Sequence, residues 1–467
     1  MIGSDIGQIA DVLEGCPHAD QLGSGKADKP GGAFGILVKP EDLAQLRTAI
    51  NFLAERAEWR VAAGHNARQR ALRRYSWDHH VAAILDGLER VRAMDAVARK
   101  PIRILFNGLH SKSGGGLTYL KNMLALFAAD REVDVHLCIH RDQQGDLPRE
   151  TKGITIHYLD IPQGFWRLQI AEQIEVPKLA RRIGADATFS PANYGPLAAP
   201  NSVILLRNAL SVAFVERRPV KLAYWALVYL GTFLSMIAAQ RVITVSEYAR
   251  GAASGGLIGL FSSRMSVVPH GVSGIFSPPR KGARRDRFVL AVADIYVQKN
   301  LKNLIRAVAR LTASHPDIVL KIAGRAVDLD YFAELKRIVA VENLGGKVEF
   351  LGGVSPEILA DLYRRCGVFV FPSTVETFGN PLVEAMASGA PIASSNTAAM
   401  PEIVGDAAVF FDPGKVDDMA SAIDRLLNDD ELRRDLGRKA VERAKGFSWA
   451  KTAKSTLAVI KEAATPQ

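Results

Sequence analysis

Cysteine is scarce in this chain. The three among 467 residues, Cys16, Cys138 and Cys366, lie far apart and without metal-ligand spacing. That excludes a disulfide framework and a zinc finger, and it points to a reducing compartment. The opening residues MIGSDIGQIADVLEG lack a basic stretch followed by an apolar one, so no signal peptide is expected. The net charge is +10, yet no RNA-binding signature accompanies it and the Lys and Arg are dispersed, which argues against a nucleic-acid partner. The excess instead suits nucleotide diphosphates, lipid phosphates or an anionic membrane surface. The spaced glycines of a dinucleotide fingerprint are missing too, which disfavours a dehydrogenase.

What is present is an alternation of short apolar runs with helical segments, as in parallel α/β sheets. The length allows two or three domains. The runs IRILFNG, VDVHLCIH, ITIHYL, ATFSP, SVILLRN and RVITVSE form one series from residue 102. After a Pro-rich stretch at 266–279, read as a linker, FVLAVAD, VLKIAGR, KVEFLGG, VFVFPS and PIASS form a second. The stretch VFVFPSTVETFGNPLVEAMASGAP, 368–391, organises the second series. It predicts a buried strand, a polar turn and a helix with Asn380 as N-cap, Pro381 at the first helical position and Gly389 at the stop. A helix N-terminus at the carboxyl edge of a sheet favours phosphate. Glu376 in the turn and Glu384 in the first helical turn would repel phosphate, so they are expected to accept hydrogen bonds from sugar or ribose hydroxyls.

Two glutamates eight residues apart, with FGNPL between them and EAMASGAPI after, resemble the nucleotide-sugar site of family-four retaining glycosyltransferases. The resemblance covers 100–467, most strongly 288–450. It implies the GT-B architecture, two doubly wound Rossmann-like domains facing across a cleft: an acceptor domain at 100–278, a donor domain at 279–447 and a crossing helix at 448–467. It further implies transfer from a nucleotide-diphosphate sugar to a glycan or lipid-linked acceptor in cell-surface polysaccharide synthesis. The site would be cytoplasmic, on the inner face of the membrane. The metal-binding DxD of the alternative fold is absent, since DLD at 328–330 opens a helix, so no metal and no cofactor is expected. The donor contacts implied are Gly115 and Gly116 in the first glycine-rich loop, Lys299, Arg325, Gly353, Val354, Glu376, Gly379, Asn380, Pro381, Leu382 and Glu384. Lys299, read at the start of a helix, would meet the leaving diphosphate, and Glu376 the transferred sugar. Two positions depart from the family: Asp294 stands where an Arg is usual, with Arg325 to compensate, and Arg207-Asn208 stands where a His is usual. Arg207 is the third catalytic candidate, for donor or acceptor phosphate; His110 and His270 are lone histidines. A phosphorylase-like enzyme would need a pyridoxal-lysine motif that is absent, and a non-catalytic nucleotide-sugar-binding scaffold is the alternative that the two departures suggest.

Residues 1–98 read as a partial duplicate. FGILVKPEDLAQLRTAINFLAERAEWRVAAGHNARQRALRRYSW lies on AVFFDPGKVDDMASAIDRLLNDDELRRDLGRKAVERAKGFSW, pairing Pro40 with Pro413, Arg60 with Arg433 and, after a one-residue slip, Trp77 with Trp449. It matches only the tail of such an enzyme, and its strand at 35–38 is expected to be an isolated edge. Finally, LAYWALVYLGTFLSMIAA, 222–239, is 18 residues without charge. It reads either as a buried core helix or as an interfacial one flanked by Arg217, Arg218, Lys221 and Arg241.

Overall fold

The computed structural model describes residues 1–23, 31–98, 100–112, 114–146, 153–161, 164–207, 219–254, 262–280, 282 and 285–465. The chain divides into two compact units, Met1–Lys100 and Pro101–Gln467.

In the first unit, strand β1 (Ile2–Ser4) pairs in parallel with β2 (Ile36–Val38), Ile2 opposite Ile36. The strand expected to stand alone therefore has a partner. The opening residues of the chain supply it and cover one edge of β2, whose three side chains are all buried. Helices Leu43–Glu55, Ala57–Arg74 and Trp77–Ala98 follow. Asp42 caps the first, its carboxylate accepting from the Gln45 amide at 2.9 Å. Phe52 and Trp59 meet edge to face at 5.6 Å in a small core.

The second unit holds two all-parallel sheets. The first runs in the order β5-β4-β3-β6-β7-β8-β9, from β3 (Ile102–Asn107), β4 (Val133–His140), β5 (Ile154–Leu159), β6 (Ala187–Ser190), β7 (Ser202–Leu206), β8 (Arg241–Thr244) and β9 (Met265–Val267). The second runs β12-β11-β10-β13-β14-β15, from β10 (Phe288–Val292), β11 (Val319–Ala323), β12 (Val348–Gly352), β13 (Val368–Phe371), β14 (Ile392–Ser395) and β15 (Ala408–Phe411). The central strands β6, β7, β13 and β14 are buried at every residue; β7 from Val203 onward and β13 therefore read as apolar runs without alternation, whereas β6 and β14 carry buried Thr188, Ser190, Ser394 and Ser395. The last helix, Trp449–Ala464, leaves the second sheet and buries Trp449, Leu457 and Ile460 against the first, with Trp449 edge-on to Tyr119 at 5.8 Å.

The segment 222–239 lies in helix Pro219–Ala238, and no helix among the described residues is long and apolar enough to cross a membrane. One face, with Val228, Thr232, Ser235 and Met236, is buried; the opposite row of Leu227, Leu230, Leu234 and Ile237 is about half exposed. The helix is thus part core and part apolar surface. Of its proposed flanks, Arg217 and Arg218 lie outside the described residues.

Candidate active site

Each sheet reverses its strand order once, between β3 and β6 and between β10 and β13. Loops leaving such a pair part to opposite sides and leave a crevice at the carboxyl ends. Gly115 and Gly116 follow β3, Lys299 follows β10, and Glu376 and Asn380 follow β13, whereas Arg207, Arg325 and Gly353 follow the neighbouring strands β7, β11 and β12.

At the second sheet, β13 leads through Ser373 and Glu376 into helix Asn380–Ala387. The N-cap is Gly379 rather than Asn380. Its φ of 82° is left-handed, and a Cβ there would come within 3.3 Å of the Phe371 ring, so the turn demands glycine. Pro381 consequently takes the second helical position, Leu382 enters the core, and Glu384 lies beyond the first turn. Freed from capping, the Asn380 side chain accepts a hydrogen bond from His270 Nδ1 at 3.1 Å, and its Nδ2 lies 3.2 Å from where a Cβ of Gly115 would be. That bond leaves the proton of His270 on Nδ1. Its Nε2 is buried without a partner among the described residues, and burial lowers the imidazole to about 4, neutral at physiological pH.

The Glu384 carboxyl accepts from the Tyr363 phenol at 3.1 Å and is pushed up to about 7 by burial. Near neutrality it is half ionised, whereas an ordinary glutamate would be fully charged. Lys299 ends a short 3₁₀ turn, Val297–Lys299, one step ahead of helix Leu301–Leu311 rather than inside it. Its ammonium forms an ion pair with Glu376. Arg325, expected to stand in for the missing family arginine, is held by the residue that replaced it: Nη2 lies 2.9 Å from Asp294 Oδ2, and the Arg325 amide donates to Oδ1 at 2.9 Å. This pair holds the Asp294 carboxyl below its usual range. Gly353 packs on the stem of Arg325, 3.0 Å from Cγ to its would-be Cβ, and Val354 follows, half-buried.

At the first sheet, Arg207 follows β7. Its amide is held by Asn193 Oδ1 at 2.8 Å, and its carbonyl accepts from Thr377 Oγ1 of the other sheet's loop. The guanidinium lies against Gly116, where a Cβ would be 2.5 Å from Nη1. Burial lowers this cation to about 10, and the phenols of Tyr119 and Tyr194 lie near it. Its Nε has no partner among the described residues. Asn208 lies outside the described residues. Three further bonds tie the halves together: Ser246 Oγ donates to the Thr377 carbonyl, and the Glu402 carboxylate accepts from the amides of Glu247 and Tyr248 at 2.8 and 2.9 Å.

One cluster escaped the sequence reading. Glu172, fully buried, accepts from Asn107 Nδ2 at 2.5 Å and pairs with His110 Nε2 at 2.9 Å. The His110 ring lies edge-on to Tyr194 at 5.0 Å. Glu172 comes from a helix 62 positions away from His110, so no local spacing announces the pair.

Residues 276–443 match the model of the family described as glycosyl transferases group 1. This part of the chain is a group 1 glycosyltransferase domain. The domain contains Lys299, Arg325, Glu376, Asn380 and Glu384; Arg207 precedes it, as do Gly115 and Gly116, which lie in the first turn of helix Gly114–Ala128 rather than in the expected loop. Among curated proteins the chain is 36% identical over 208 residues to an MMP alpha-(1->4)-mannosyltransferase of Mycolicibacterium hassiacum, covering 43% of this chain and 49% of that protein. It is 30% identical to the serotype-specific mannosyltransferase WbdA of Escherichia coli, over 47% of this chain and 27% of that protein. The chain thus spans no more than half the length of these relatives. Among solved structures, a sucrose-phosphate synthase of Thermosynechococcus elongatus superimposes with a TM-score of 0.63 at 19% identity, over 77% of this chain and 98% of that one. Anabaena HepE, solved with UDP and glucose, does so with a TM-score of 0.62 at 19% identity, over 77% and 99%. With the lipopolysaccharide glycosyltransferase WaaG also among them, these neighbours assign the two-sheet unit to the GT-B fold.

Proposed function

We propose that the protein is a retaining glycosyltransferase that moves a hexose from a nucleotide-diphosphate sugar to a glycan or lipid-linked acceptor in polysaccharide synthesis. The observation that carries this is Arg207. A buried guanidinium without a carboxylate partner among the described residues, beside Gly116 in the first turn of helix Gly114–Ala128 and the positive end of helix Asn380–Ala387, is a site for a dianionic group. The diphosphate would lie between Arg207, the backbone of Gly115 and Gly116 and the first amides of that helix, at Gly379 to Leu382. Lys299 would exchange Glu376 for the diphosphate as leaving-group charge develops, and Glu376 would then accept a hydroxyl of the transferred sugar. Glu384 would accept the ribose hydroxyls, and Gly353 and Val354, beside Arg325, would border the base.

In the reaction, the C1–O bond to the diphosphate breaks as a bond forms between C1 and the acceptor oxygen on the same face. The acceptor proton passes to a donor phosphate oxygen, and the nucleoside diphosphate leaves. The mannosyltransferase names of the relatives and the UDP and glucose in HepE make GDP-mannose and UDP-glucose the first donors to test. The half-exposed apolar row of helix Pro219–Ala238 supports attachment to the inner face of the membrane.

Calorimetric titration with both donors, from pH 6 to 8, tests the site. Affinity should rise with pH as Glu384 ionises near 7 and becomes a charged acceptor. Glu384→Gln should flatten that profile and cost about 1.5–3 kcal/mol of binding at pH 8, the range for a hydrogen bond to a charged group. The opposite sign applies to stability: a raised carboxyl pKa means that the folded state loses stability as pH climbs from 4.5 towards 7, and the variant should lose that slope as well. If neither donor binds at any pH, or the variant binds like the parent, the assignment fails.

A further inference from the structure

A cavity of about 220 Å³ opens between helices Phe165–Ile183 and Pro219–Ala238, outside the donor site. Two of the polar side chains on its wall are spent on the loop at 195–197. Gln173 accepts from the Leu197 amide at 2.9 Å and donates to the Gly195 carbonyl at 3.2 Å, and Ser235 Oγ accepts from the Gly195 amide at 3.2 Å. Leu197, Leu227 and Leu234 then supply a hydrocarbon lining.

Two observations indicate an occupant. Gly231 sits mid-helix at the wall, where glycine costs about 1 kcal/mol relative to alanine, yet a Cβ there would meet no atom within 4 Å. Packing does not require the glycine; it keeps space open. The second is Gln169, also on the wall, whose Nε2 is buried without a partner among the described residues. A buried amide N–H calls for an oxygen. The wall also includes Tyr194, whose ring contacts His110 and whose phenol lies near Arg207. The cavity therefore begins where the candidate active site ends. Of its lining, Leu197, Leu227 and Leu234 are about half exposed, so the cavity is open to the surface. A slot of this volume takes a single chain, whereas a peptide helix is about 10–12 Å across.

We propose that this cavity holds the hydrocarbon chain of the acceptor. The acceptor is an amphiphile: its hydroxyl-bearing head lies past Tyr194 beside the His110–Glu172 pair, and the Gln169 amide donates to an oxygen where head and chain join. This rests on the glycosyltransferase reading and narrows the acceptor class within it.

The test titrates the full chain calorimetrically with n-octyl β-D-mannopyranoside and n-octyl β-D-glucopyranoside below their micelle thresholds, against mannose and glucose. At least one octyl glycoside should bind tenfold or more tightly than its free sugar. Gly231→Phe, which fills the cavity, should remove that gain while leaving the melting temperature and nucleotide affinity in place. If Gly231→Phe lacks the parent's melting transition, Leu227→Ser, at a half-exposed position, replaces it with the same expectation. Equal affinity for octyl glycoside and free sugar overturns the proposal, as does a plugged variant that binds like the parent. Uptake by phosphatidylglycerol vesicles that Gly231→Phe abolishes, without octyl glycoside binding, assigns the cavity to a membrane lipid and also overturns it. Nucleotide affinity is read separately, so a chain that takes octyl glycosides but no nucleotide refutes the functional reading and leaves the alkyl site standing.

Discussion

Two stretches of this chain follow one pattern and end in opposite conditions. In 43–98 and in 416–464, two helices joined by an arginine clasp lead to a Ser-Trp step and a third helix. Arg60 donates to the carbonyls of Leu53 and Ala54, and Arg433 to those of Leu426 and Leu427, at the same offset. Ser76 caps through the His79 amide as Ser448 does through that of Lys451. Yet Trp77 is 80% exposed and Trp449 only 9%. Val81, Ile84, Leu85 and Leu88 stand about half exposed, whereas Leu457, Val459 and Ile460 are buried. The local grammar specifies helices and caps in both copies; a surface to pack on is what separates them.

Truncation should break the symmetry most strongly. A chain starting at Lys100 should keep its melting transition and donor affinity. One ending at Phe447 should lose the transition of the second unit, because burying Trp449, Leu457, Val459 and Ile460 contributes roughly 1.5–3 kcal/mol each, comparable in sum with the 5–15 kcal/mol of a whole domain. Scanning calorimetry decides, and a 1–447 chain whose second unit keeps its transition would refute the contrast.

A smaller effect is expected at the tryptophans. Trp449→Ala should cost about 3–5 kcal/mol and Trp77→Ala within about 0.5 kcal/mol. Trp449 also stacks on His270, at 5.8 Å between ring centroids. His270 stays neutral down to about 4, so the unfolded chain takes up a proton first as pH falls from 6.5. The His270 contribution should drop by up to about 1.4 kcal/mol per pH unit through that window, against the opposite slope of Glu384. Trp449→Ala, which opens the ring to water, should flatten that decline; Trp77→Ala should not change it. Denaturant titrations between pH 4.5 and 7 read both effects.

The smallest prediction sharpens the likeness between the copies instead. Arg433→Ala and Arg60→Ala each remove hydrogen bonds to two helix-end carbonyls, for about 1–2 kcal/mol. Similar losses, each measured on the transition of its own unit, would show that the clasp works without the third helix being packed. A loss confined to Arg433 would show the reverse.

These elements also mark what the sequence could reveal. Strands such as Val203–Leu206 and Val368–Phe371 were legible because burial on both faces leaves an unbroken apolar run. Glu376 and Glu384 were legible because strand, turn and helix fix their spacing locally. The N-cap was misplaced by one residue because Asn and Gly both suit that role, and only the Phe371 ring decides for Gly379. Pairings across long separations were not legible. Glu172 with His110, Lys299 with Glu376 and Asp294 with Arg325 depend on how strands order themselves in the sheet, which no local pattern encodes. The pairing of Ile2 with Ile36 was missed for the same reason.

Arg207 gives the cleft a mechanical character. It comes from the first sheet, while the helix end it approaches, at Asn380, comes from the second, so two positive poles from different halves are held close together. Thr377 and Glu402 act as hooks against that repulsion. An anion lodged between the poles turns the repulsion into a shared attraction. On the proposed function, a bound diphosphate would therefore also act as a closing spring, and its departure would load the hooks again.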